Sequence, residues 1–143
     1  MLPKHNTNFY CRIGHPILGH NKITAEHIDA YPIINAASPL YIRNALQNFM
    51  RWTVPYEEKC NLFSESVVDI IEQVASTDAI SLAPDILLVD AIRAEKIVTF
   101  TTFPRLGLAS NSALAVRKSR ISDDAVTWLV KEILHWEEQA VEA

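Results

Sequence analysis

Short apolar runs and amphipathic helical stretches alternate along the chain from Phe9 to Leu134, and no other property of the sequence restricts the fold so tightly. Phe9–Ile13 reads as a strand stopped by Gly14 and Pro16. Thr24 is placed to cap a short helix over Ala25–Ala30, with Glu26 at its positive end. Pro32 ends that helix and starts the strand "PII". Ser38-Pro39 marks the next helix start, because serine caps and a proline at the first helical position forfeits no hydrogen bond. Ile42, Ala45, Leu46 and Phe49 then share one face as far as Met50. "KCNLFS" reads as a strand whose Ser64 caps a helix bearing Val67, Val68, Ile70, Ile71 and Val74. "AISLA" reads as a buried strand, and Pro84 opens a helix through Ile86, Leu87, Leu88, Ala91 and Ile92. "KIVTFTTF" and "SALAVRK" are further strands. Ser122, Asp123 and Asp124 begin the last helix, along which Val126, Leu129, Val130, Ile133 and Leu134 recur at helical spacing.

Strands that alternate with helices predict an α/β fold, here a mixed, mostly parallel sheet flanked by helices. Ligands of such sheets lie beyond the carboxyl ends of the strands. Two strand-to-helix junctions qualify, "IINAASP" and "NLFSES". The free N–H groups and positive dipole of a helix start suit a carboxylate or another anion.

With 143 residues, 49% hydrophobic and 21% charged, the chain is long and apolar enough for one globular domain, 1–143. No apolar run approaches the roughly 20 residues of a membrane span, and the N-terminus has no apolar signal core. The net charge of −4 argues against a nucleic-acid grip. Arg117, Lys118 and Arg120 form the one dense basic cluster and read as a solvated strand end. Cys11 and Cys60 allow one disulfide, with two reduced thiols the simpler reading.

Several chemistries find no pattern. Cys11, His15, His20 and His27 lack the close paired spacing of zinc ligands, so no metal site is expected. Ser38, Ser64 and Ser81 lie outside any Gly-x-Ser-x-Gly elbow. Glu57-Glu58 and Asp123-Asp124 read as solvated or capping pairs, because acid–base chemistry needs carboxylates that converge on one cleft. No glycine-rich phosphate loop is present. Trp128 and Trp136 flank the apolar stripe of the last helix, as for packing or dimerisation.

"FYCRIGHPIL" resembles the strand and Arg-x-Gly-His-Pro-Leu turn that enter the second lobe of LysR-type transcriptional regulator effector domains. "ITAEHIDAYPII", "ESVVDIIEQVASTDAISLAPDILL", "AIRAEKIVTF" and "ALAVRKSRISDDAVTWLVKEIL" are similar, in order, to the rest of that lobe and the closing C-terminal helix. One departure stands out: Ser76-Thr77-Asp78-Ala79 replaces the family's Gly-x-Gly turn.

The resemblance implies a periplasmic-binding-protein-like, type 2 lobe, about 9–110, followed by a closing strand and helix, about 111–139. His15 becomes a turn residue. The resemblance also implies a cytoplasmic, non-enzymatic sensor with no cofactor, working as a homodimer. A small-molecule metabolite, an anion among the suitable classes, would sit between two lobes. Asn35, Ala37, Ser38 and Pro39 would line this side, with Ser64 and Ser81 nearby. DNA contact would belong to a winged-helix domain that does not precede Phe9. The alternatives are a solute-binding or protein-interaction lobe without a DNA-binding head, and a small α/β enzyme.

Overall fold

The computed structural model describes residues 4–111 and 114–142. Among these residues the strands and helices are β1 (Lys4–Arg12), α1 (Ala25–Asp29), β2 (Ile34–Ala36), α2 (Leu40–Met50), α3 (Tyr56–Lys59), β3 (Leu62–Ser64), α4 (Val67–Ser76), β4 (Ser81–Pro84), α5 (Val89–Arg93), β5 (Ile97–Phe100), β6 (Leu108–Asn111) and α6 (Asp124–Glu142).

β1 lies between β4 and β5 and runs antiparallel to both; β6 pairs antiparallel with its first half. β2 and β3 are parallel, and a parallel bridge between Ile33 and Ile80 joins them to β4. Every strand except β1 therefore points the same way. The sheet is mixed and mostly parallel in direction, as the alternation predicts.

Phe9, Tyr10 and Cys11 are consecutive and all buried, the mark of a strand covered on both faces. Phe9 and Cys11 enter one core with Ile42, Leu46, Leu82 and Phe100. Tyr10 points to the opposite core, where α4 supplies Ile70, Ile71 and Val74 and β4 supplies Ala83. Cys11 and Cys60 are free thiols in the first core.

The turn after β1 has a specific structure. Gly14 sits at φ +72°, a region where a Cβ is strained. His15 Nδ1 accepts from Ile17 N (3.0 Å), and its Nε2 lies 2.9 Å from the carbonyl of Asp78, so Nε2 carries the proton and donates. The Asp78 carboxylate accepts from Arg12 Nε (2.9 Å) and Nη2 (2.8 Å). Thr77 Oγ1 donates to Gln73 O and accepts from Ala79 N. The glycine-free turn 76–79 is thus held by side chains, two of them from the Arg-x-Gly-His motif.

Several boundaries differ from the sequence reading. β1 begins at Lys4 because β6 pairs with Lys4–Thr7. β6 occupies Leu108–Asn111, earlier than the expected "SALAVRK"; residues 114–117 carry no ladder, and Ser112 and Ala113 lie outside the described residues. Pro84 opens a 3-10 turn over Asp85–Leu87 before the short α5. α3 is an additional helix. In α6 the Asp123 carboxylate, not Ser122, receives the Ala125 N–H at 3.0 Å.

α6 touches the rest of the chain through one buried side-chain bond among the described residues, His5 Nε2 to Glu137 Oε2 at 2.6 Å. Val126, Val130, Ile133 and Leu134 of its apolar stripe are half-buried, whereas Trp128 is 63% exposed and Trp136 58%. No helix among the described residues is long and apolar enough to cross a membrane.

Candidate functional site

The carboxyl ends of β2 and β3 bring the expected residues together. Ala36 pairs with Ser64, so the Ala37–Pro39 loop rises beside the start of the β3–α4 loop. Below this edge Asn35 is a buried hub, 2% exposed. Its Nδ2 donates to Tyr56 Oη (2.9 Å), and its Oδ1 accepts from Ser81 Oγ (3.1 Å) and Leu82 N (3.1 Å). The physical reason lies in the sheet. Backbone bonds join β2 to β4 at Ile34 N to Ile80 O and Ile80 N to Pro32 O. One step further the backbones part, and the Asn35 amide fills the rung.

The six expected residues therefore divide by position. Asn35 and Ser81 are buried and bonded to one another. Ala37 and Pro39 are exposed, and Ser38 and Ser64 half-buried. Ser38 does not cap α2, because its hydroxyl donates to Ala36 O (3.1 Å) and Pro39 occupies the cap position. Ser64 does not cap α4 either. Its oxygen accepts from Ser66 N (3.1 Å), and Ser66 is the cap, accepting from Asp69 N (3.2 Å).

The two helix starts now differ in character. Ser66 and the first-turn Asp69 already serve the positive end of α4. The first turn of α2 has neither a capping side chain nor an acidic residue; the Ile42 and Arg43 N–H groups donate to Pro39 O, which leaves those of Leu40 and Tyr41 as the open donors at the helix start. Leu40 and Tyr41, both exposed, continue that edge.

Sequence reasoning did not place Tyr56, Cys60 or Phe63 beside the site. Tyr56 packs its ring 5.7 Å from that of Phe63, and the Cys60 thiol lies 3.8 Å from Asn35 Nδ2. Burial first, then neighbouring Cys60, pushes the Tyr56 phenol up, opposed by hydrogen bonds with Asn35 and Ser38. It is a neutral hydroxyl at any physiological pH. Burial pushes the Cys60 thiol up as well, and that of Cys11 to about 12. The four-residue spacing from Tyr56 to Cys60 behind Pro55 was the available signal, since it places both on one side of a helical turn.

The other singled-out groups lie elsewhere. Glu57 is exposed; its own backbone N–H and then the guanidinium of Arg43 hold its carboxyl below the usual range. Arg120 pairs with Asp123. His15 spends both ring nitrogens on the turn. Among the described residues no cluster of three potential metal ligands occurs.

The architecture is the periplasmic-binding-protein-like type 2 fold of LysR-family effector-binding domains. The AmpR effector domain of Pseudomonas aeruginosa superposes with a TM-score of 0.68 at 16% identity, covering 99% of this chain and 65% of that one. The regulatory domain of MetR, a LysR-family regulator from N. meningitidis, gives 0.60 at 19% identity, over 92% of this chain and 60% of that one. That of MexT, a transcriptional activator in Pseudomonas aeruginosa, gives 0.62 at 18%, over 94% and 62%. Among curated proteins, an SDS degradation transcriptional activation protein from a Pseudomonas species is 29% identical over 106 residues, 73% of this chain. The chain spans 33% of that relative's length. No protein-family model matches the chain.

Proposed function

We propose that this chain is one lobe of the effector-sensing domain of a LysR-type transcriptional regulator, acting in the cytoplasm and without enzymatic activity. The observation that carries this reading is the joint edge of β2 and β3, where Ala37, Ser38, Pro39 and Ser64 meet the open start of α2. Asn35 and Ser81 support that edge from below and do not touch the effector. A small molecule held there against a second lobe biases the regulator between two quaternary states, and only by its differential affinity for them. DNA contact and homodimerisation belong to the complete regulator.

Two measurements test this. The intact mass of the native protein from its source cells should far exceed that of this chain, and the remainder should bind DNA. A metabolite panel, with alkyl sulfates included on account of the SDS-degradation relative, should then yield a compound that alters DNA binding. Ala37→Trp, which fills the loop without disturbing the buried hub, should weaken that response at least tenfold. A native protein of this chain's length, or an effector response indifferent to Ala37→Trp, overturns the proposal.

A further inference from the structure

A second concavity, built from other residues, carries a charge opposite to that of the chain. It is a cavity of about 600 Å³ between the loop before α1 and the loop after β5. His20, Lys22 and Arg105 line it, with the amides of Asn8 and Asn21 and the ring of Phe103. No carboxylate is among the lining residues, in a chain with 17 acidic residues against 13 Lys and Arg. Among the described residues neither Lys22 nor Arg105 has an ion-pair partner.

These groups do not sit on loose loops. Phe103 N donates to Ile23 O at 2.7 Å, and Ile23 bridges to Thr102 in parallel. Buried Thr102 donates its hydroxyl to Pro104 O (2.9 Å) and accepts from Leu106 N (3.2 Å), which fixes the turn carrying Arg105. Lys22 Nζ stands 4.5 Å from the centre of the Phe103 ring. The His20 ring stacks 3.8 Å from that of His27, whose Nδ1 is anchored by the Thr24 N–H. Positive groups held together around a concavity raise the local concentration of anions and gain from a bound one.

We propose that this cavity binds an organic oxyanion, a carboxylate, sulfate or phosphate, whose apolar part lies on Phe103. Lys22 and Arg105 supply the charge, Arg105 as the planar fork that matches two oxygens. Asn21 and His20 add further polar groups around the head group, while the Asn8 Nδ2 donor is already given to the Asp85 carboxylate at 2.6 Å. Phe103, 56% exposed, offers the apolar platform. The site shares no residue with the β2–β3 edge, so it stands independently of the effector reading.

The test is a titration of the chain with inorganic phosphate and with phenyl phosphate, at ionic strength held constant with sodium chloride, followed by amide NMR shifts. Both ligands should saturate, phenyl phosphate several-fold more tightly. The doubly substituted Lys22→Gln/Arg105→Gln chain should lose at least tenfold affinity for both. These side chains are exposed, so the fold survives, and an unchanged far-ultraviolet spectrum checks it. Phe103→Ala should abolish the preference for phenyl phosphate and keep inorganic phosphate. Carboxylate and sulfate analogues of the phenyl ligand then identify the preferred head group, and Ala37→Trp should leave every one of these affinities unchanged. Absence of saturable binding up to about 20 mM, or equal affinity in the double variant, overturns the proposal.

Discussion

Asn35→Ala removes the amide that stands in for a sheet rung between β2 and β4. Three hydrogen bonds disappear: to Tyr56 Oη, from Ser81 Oγ and from Leu82 N. The Ser81 hydroxyl can rotate toward another acceptor, and the Tyr56 oxygen loses only an accepted bond, but the Leu82 N–H is fixed in the strand and buried. An orphaned buried donor costs about 1–3 kcal/mol, and the small void adds to it, so about 3 kcal/mol is expected. That is a large share of the roughly 5–15 kcal/mol that holds a domain together. With a urea dependence of about 2 kcal/mol per molar, the unfolding midpoint should fall by about 1.5 M. Trp52 reports the transition, being buried with its Nε1 donating to Asp29 at 2.9 Å. Tyr56→Phe, which removes one of the three bonds, should cost about 1 kcal/mol alone and almost nothing in the Asn35→Ala background. A midpoint shift below about 0.3 M for Asn35→Ala would refute the hub, and with it the division of site residues into supports and contacts.

The remaining predictions address separate parts of the chain. Arg51 closes α2 at φ 55°, with Trp52 N donating to Gln47 O, so Arg51→Gly should relieve left-handed strain and stabilise the chain by about 0.5–1 kcal/mol in the same urea titration. Gly14→Ala introduces that strain at φ 72°, where the new Cβ meets no close backbone, and should destabilise by about 1–2 kcal/mol. Cys11 and Cys60 should resist a thiol reagent at pH 8 in the native chain and react in urea, because both are buried and burial pushes their thiol pKa values up, suppressing the thiolate. Asp123 has its carboxyl held low by Arg120, then by the N–H groups at the start of α6. A depressed carboxyl stabilises above its unfolded value and ceases to do so as pH falls through the folded one. Helicity from α6 should therefore decline as acid takes the pH below the ordinary carboxylate range, and Asp123→Asn should flatten that part of the curve.

What the sequence determined by itself was local. The alternation of apolar runs and helical stretches sets the α/β character, because side-chain periodicity follows from backbone geometry within each segment. The unbroken Phe9-Tyr10-Cys11 run already requires a strand covered on both faces, and Gly14-His15-Pro16 requires a tight turn. The tertiary structure decided where each polar group is spent. Ser38 and Ser64 look like helix caps in one dimension, yet their oxygens bond within the loops while Pro39 and Ser66 take the cap positions. That Asn35 is buried and accepts from Leu82 N, filling a rung between β2 and β4, follows only from the pairing of Ile33 with Ile80. Lys22 and Arg105 are far apart in the chain, and only the bridge from Ile23 to Thr102 makes them walls of one cavity. Such assignments depend on contacts between residues distant in sequence, and local propensity carries no information about those.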